Sequence, residues 1–136
     1  MPASIRILRA VLAELSAHAL HDPSRECCGL LAGGDGTITR ALPATNTASD
    51  PSTCYEIVSE ELFRLMREIR AAGLELLGIY HSHPKGKNEP SPRDVARAYY
   101  PDAAYFILSP QHGAARPIRA FSIRDRCVAE LAIHVV

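Results

Sequence analysis

At 136 residues, 47% of them hydrophobic, the chain is long enough for one domain that buries about two-thirds of its unfolded surface. Its 15 Lys and Arg balance 15 Asp and Glu, and this net charge of zero argues against a general nucleic-acid binder, which carries a basic excess or stripe. No apolar stretch approaches the ~20 residues of a membrane span and no N-terminal signal pattern is visible, so a cytoplasmic protein with no membrane partner is expected.

Ile5 and Ile7 around Arg6 predict a short first strand. Ala10 to Leu20 then reads as a helix, with Leu8, Val11, Leu12 and Leu15 at helical spacing and Asp22-Pro23-Ser24 as its stop. Cys27 to Ala32 is an apolar strand, turned by Gly33-Gly34-Asp35-Gly36 into another at Thr37 to Leu42. Pro43 to Thr53 is a loop, and Cys54 to Val58 a short strand. Ser59 is placed to cap a helix whose Leu62, Leu65, Met66 and Ile69 share a face, with Gly73 ending it.

Leu74 to His83 reads as a buried strand, and Tyr105 to Ser109 and Ile118 to Ile123 as two more, separated by the Pro110–Gly113 turn. From Cys127 to Val136, alternation puts Cys127, Ala129, Leu131, Ile133 and Val135 on one apolar face. Strands and helices mix without strict alternation, so the fold class is α+β, a sheet flanked by helices. With no repeat, low-complexity stretch or linker, residues 1–136 are read as a single domain. The four cysteines form no Cys-x-x-Cys and no disulfide framework, and are expected to be buried free thiols.

The chemistry concentrates in His81-Ser82-His83-Pro84 and Ser91-Pro92-Arg93-Asp94. Alternate side chains of a strand share a face, so His81 and His83 point one way and Ser82 the other. Beyond a turn rich in Gly and Pro, Asp94 can return as a third ligand. Two nitrogens and one carboxylate oxygen leave one of four zinc positions free, the pattern of a catalytic site. The Ser91–Asp94 segment is equally a helix start, with serine at the N-cap, proline at N1 and an acid at N3. Both readings are compatible, because such a helix start would hold Asp94 rigidly with Ser91 beside the open position. His18, His21, His112 and His134 lack any such pattern and are expected at the surface or satisfied in the core. Lys85-Gly86-Lys87-Asn88 reads as a solvated basic loop within reach of a substrate carboxylate, and Asn46 as a weak candidate for contacting a substrate backbone.

The spacing His-x-His-Pro, six residues, Ser-x-x-Asp resembles the JAMM/MPN+ zinc metalloprotease family. The phrases Glu26-Cys-Cys-Gly-Leu-Leu and Gly78-Ile-Tyr-His-Ser-His-Pro are most similar to its compact bacterial, sulfur-carrier-processing members. The resemblance runs from about Ile5 to the C-terminus. It implies a cytidine-deaminase-like fold, a mixed sheet between helices in a three-layer α/β/α arrangement. It also implies Zn2+ on His81, His83 and Asp94, Glu26 as general base, and Ser91 beside the developing oxyanion. Glu56, Glu60, Glu61, Glu68, Glu75 and Glu89 are poorer bases, most of them on predicted helix surfaces or in loops. The implied activity is that of a peptidase or isopeptidase cutting after the C-terminal glycine of a ubiquitin-like sulfur-carrier protein. The alternatives are a deubiquitinase-like isopeptidase, a non-catalytic scaffold for ubiquitin-like partners, and a DNA-repair-associated branch that the neutral charge does not support.

Overall fold

The computed structural model describes residues 4–111 and 113–136. His112 lies outside them. The elements follow in the order β1 (Ser4–Ile7), α1 (Arg9–His21), β2 (Cys28–Gly34), β3 (Thr37–Ala44), α2 (Ser59–Ala71), β4 (Glu75–Ser82), α3 (Pro92–Ala96), β5 (Ala104–Leu108), β6 (Ile118–Arg124) and β7 (Cys127–Val135). The architecture is mixed α+β, as the sequence predicts.

β4 is central, antiparallel to β2 on one side and parallel to β5 on the other. The sheet order is β1-β3-β2-β4-β5-β6-β7. It closes into a barrel because β1 pairs in parallel with both β3 and β7. Nothing in the hydrophobic pattern announces that closure: a four-residue strand joins partners that lie far apart in the chain.

Alternation along β4 and β5 divides the core. Tyr80, Ala104, Phe106 and Leu108 pack with Val11, Leu15 and Ala19 of α1. Ile79, Tyr105 and Ile107 pack with Leu65 and Ile69 of α2. His81 follows Ile79 by two residues and so belongs to the α2 face, while Ser82 belongs to the α1 face.

The β2–β3 hairpin closes on Asp35 and Gly36, both at positive φ (53° and 75°), the handedness a two-residue turn needs to match strand twist. The β6–β7 hairpin closes on Asp125 and Arg126, again both at positive φ. Cys127 is the first residue beyond that tip and is exposed, which corrects the expectation that it is buried; along its predicted apolar face only Leu131 is buried. Cys28 is buried, while Cys27 and Cys54 are half-buried. His18 is satisfied by Tyr80 Oη at 2.7 Å, and His21 and His134 are exposed.

Two further expectations are corrected. Cys54 to Val58 joins no ladder, because the Glu56 backbone bonds to Asn46 and Thr47 of the preceding loop instead. Ser59 is the first helical residue of α2 rather than its cap. Val58, already extended at φ −63° and ψ 148°, occupies the N-cap position without a side-chain bond. Glu60 and Glu61 in the first turn complement the helix dipole in place of a cap. Among the described residues, no helix is long and apolar enough to cross a membrane.

Candidate metal centre and active site

The site grows out of the β2–β4 register. Cys28 pairs with His81, so continuing the antiparallel ladder places Cys27 across from Ser82 and Glu26 across from His83. The contacts follow that register: Ser82 N–H donates to Cys27 O at 3.0 Å, and Cys27 N–H donates to Ser82 Oγ at 2.8 Å. His83 lies one residue beyond β4 but stays in line through its N–H to Leu108 O, 2.9 Å. His81, His83 and Glu26 are all buried, at 1%, 8% and 5% exposure.

Asp94 arrives from α3. Ser91 caps that helix, its Oγ accepting Asp94 N–H at 3.1 Å while Asp94 Oδ2 accepts Ser91 N–H at 2.8 Å. The helix-cap reading is met, and the cap leaves Asp94 Oδ2 facing both imidazoles. The same Oδ2 lies 3.0 Å from His83 Nε2 and 3.2 Å from His81 Nε2, and the two nitrogens are 3.0 Å apart. A tetrahedral metal with bonds of about 2.0–2.1 Å sets its ligand atoms about 3.3 Å apart, so the triangle has the size a small divalent ion requires.

Ring orientation supports the fit. His83 Nδ1–H donates to Lys87 O at 2.9 Å, fixing the tautomer that turns the Nε2 lone pair inward. His81 Nδ1 is buried without a hydrogen-bond partner, and its ring is held instead by stacking on Tyr55, with centroids 4.7 Å apart and planes 26° apart. Burial pushes the His81 imidazole down, keeping it neutral and able to ligate. For Asp94, burial works upward, but the adjoining imidazoles of His81 and His83, which can donate to it when they are protonated and no metal is bound, overcome it and hold the carboxyl well below the usual range.

Glu26 is a different kind of group. Burial is the main cause pushing its carboxyl up to about 7; His83 and Arg93 pull it down and Asp94 pushes it up. Its Oε1 is buried with no partner. A carboxylate beside a His-His-Asp cluster, with one oxygen unclaimed and a pKa near neutrality, can both take and return a proton.

All five sequence-predicted residues thus converge on one end of β4. The Lys85–Lys87 stretch is exposed as expected, although the Lys87 carbonyl orients His83. The Asn46 carboxamide is fully engaged within the chain. Sequence reasoning missed Tyr55, whose only signal was an aromatic in a short extended run. Besides stacking on His81, Tyr55 lines an apolar cavity of about 190 Å³ with Leu30, Leu62, Ile79, Tyr99 and Tyr105.

A sheet with α1 and α2 on opposite faces, ending in two imidazoles and a carboxylate within 4.8 Å of one another, defines an α+β domain with a cluster that could hold a metal ion. The family described as prokaryotic homologs of the JAB domain matches residues 8–126, and the chain belongs to it. It is 39% identical over 103 residues to a desampylase of Haloferax volcanii, covering 74% of each chain. It is 35% identical over 135 residues to a CysO-cysteine peptidase of Mycobacterium bovis, covering 97% of this chain and 92% of that one. Among solved structures, a protein from Desulfitobacterium hafniense superposes with a TM-score of 0.82 at 28% identity, over 97% of this chain and 92% of that one.

Proposed function

We propose that the chain is a zinc-dependent peptidase of the JAMM type that hydrolyses the amide bond after the C-terminal glycine of a ubiquitin-like sulfur-carrier protein. The observation that carries this reading is the triangle of His81 Nε2, His83 Nε2 and Asp94 Oδ2 with the buried carboxylate of Glu26 beside it. His81, His83 and Asp94 are the metal ligands and Glu26 and Ser91 the catalytic residues. When bound, zinc supplies Lewis acidity that polarises a carbonyl and makes water acidic near neutral pH. Glu26 takes the proton of the attacking water and delivers it to the leaving amine. Ser91 Oγ accepts Asp94 N–H, which leaves its own hydroxyl proton to donate to the carbonyl oxygen as that oxygen gains charge.

The carrier as partner is supported by the peptidase and desampylase relatives and by the chain beside the site. Glu56 commits its backbone N–H and C=O to Asn46 and Thr47. Among the described residues, the N–H and C=O of Tyr55 and Ile57 have no hydrogen-bond partner, and an extended glycine tail can add along them as a strand. A single domain over residues 1–136, a cytidine-deaminase-like arrangement of sheet and helices, and a cytoplasmic setting belong to the same reading. The helix on each face of the sheet supports the second and the free thiols the third.

Zinc content and cleavage test the proposal together. Protein purified without chelator is expected to hold about one zinc per chain by the stoichiometry of one three-ligand site, and folded His83→Ala and Asp94→Ala to hold none. The wild type should release the added residue from a carrier ending in Gly-Gly-Cys, followed by intact mass. A folded chain that takes up no zinc even when it is supplied would refute the reading. Ser91→Ala should lose about 1 kcal/mol of stability with its cap. It should also lose on the order of 10²-fold in kcat with its oxyanion donor. Denaturation and turnover on one preparation separate the two effects, and an unchanged kcat would leave Ser91 a cap alone.

A further inference from the structure

We infer that Asn46 is a positioning residue of the hydrolysis, a single carboxamide that fixes the backbone of Glu26 and the segment flanking the metal cluster at one spacing. The inference rests on the peptidase reading above. Asn46 Nδ2 donates to Glu26 O at 2.9 Å and to Cys54 O at 3.0 Å, while Oδ1 accepts Ala48 N–H at 3.0 Å and Glu56 N–H at 3.1 Å. Two donors and two acceptor lone pairs are the full capacity of the group.

An asparagine that only shaped its own turn would need the bond to Ala48 and no other. The other three bonds reach residues 20, 8 and 10 positions away. One of them ends on the candidate base, which precedes β2 and therefore lies outside its ladder. Among the described residues, the Glu26 backbone is anchored by this loop alone, its N–H donating to Pro51 O at 2.7 Å and its C=O accepting from Asn46. The other two long-range bonds bracket Tyr55, the ring stacked on His81, and set the edge offered to the carrier tail. Asn46 thereby links the proton-transferring carboxylate, the packing of a metal ligand and the tail-binding edge without touching substrate or metal.

Asn46→Asp separates the halves of this device, because an aspartate retains both acceptor bonds and loses both donor bonds. Displacement of a reacting group by about 1 Å costs on the order of 10²-fold, so kcat should fall ~10- to 100-fold with zinc content unchanged. Added to Glu26→Gln, the same substitution should cost a smaller factor than in wild type, since only the Tyr55 packing and the tail-binding edge are then left to position. Independently of turnover, the Glu26 amide should exchange with solvent at least about 10-fold faster, while the Tyr80 and Phe106 amides keep their protection. Unchanged exchange at Glu26 in the folded variant would overturn the inference. So would a wild-type kcat, or an equal fractional loss of rate in the Glu26→Gln background. Should Asn46→Asp not fold, Asn46→Ala, which places no charge there, is judged by the same criteria. If wild type cleaves no carrier adduct, the peptidase reading fails, and exchange at Glu26 alone still decides whether Asn46 holds that residue.

Discussion

Glu26→Gln is expected to retain the metal and lose on the order of 10³-fold or more in kcat, the upper part of the range for a general acid–base group. The substitution keeps the size of the side chain and one acceptor oxygen, exchanges the other oxygen for an amide N–H donor, and removes the charge and the ability to take a proton. His81, His83 and Asp94 are untouched, so zinc content should match wild type, and the carrier should bind with its usual KM. A variant with wild-type turnover would remove Glu26 from the chemistry. Loss of zinc together with activity would instead make it part of the metal site.

The same substitution has a measurable consequence for stability. A carboxyl raised from 4.5 to about 7 by burial keeps its proton in the folded metal-free protein at pH values where the unfolded chain has released it. The folded state then binds more protons, so this group's contribution to stability falls as pH rises from 4.5 to about 7. Metal-free Glu26→Gln should therefore gain on metal-free wild type across that window and hold a constant advantage above it. Parallel thermal melts of the two chelated proteins at pH 5 and pH 8 give the comparison. An advantage that does not grow with pH would mean that Glu26 is not held in a charge-averse environment.

Much of the site was legible because it depends on strand periodicity and one local motif. His81 and His83 share a face by alternation, and Ser91-Pro92-Arg93-Asp94 caps its helix through bonds spanning only three residues. Glu26 is placed by register, which the sequence does not contain; family resemblance supplied it. The failures are non-local. Cys54 to Val58 has the composition of a strand, yet its Glu56 backbone is claimed by Asn46 and Thr47, so no ladder forms. Ser59 has the right chemistry for a cap, but Val58 is already in cap geometry one residue earlier. Cys127 alternates correctly and is still exposed, because β7 begins at a hairpin tip. Barrel closure through β1 was invisible for the same reason: its parallel partners are chosen by the folded sheet rather than by neighbouring residues.

Gly33→Ala should be among the most damaging small substitutions in the chain. A Cβ at Gly33 would lie 1.8 Å from Thr37 O and 2.8 Å from Thr37 C, both backbone atoms of the paired strand. No rotamer relieves a backbone clash, so β2 and β3 must part or shift at the bulge between Ala32 and Gly33, where their register already slips. A loss of about 3 kcal/mol or more is expected, a large part of the ~5–15 kcal/mol that holds a domain of this size. Gly34 is the matched control. Its Cβ would meet nothing within 4 Å, and replacing a strand glycine by alanine lowers the entropy of the unfolded chain, so Gly34→Ala should be neutral or slightly stabilising. Urea unfolding of the two variants tests the contrast, and equal midpoints would mean that the hairpin yields freely at Gly33. The consequence extends to the chemistry, because β2 is the strand whose register sets Glu26 opposite His83. A one-residue slip would turn alternate side chains to the other face. Gly33→Ala that still folds should therefore lose cleavage while His81, His83 and Asp94, none of them on β2, continue to hold zinc.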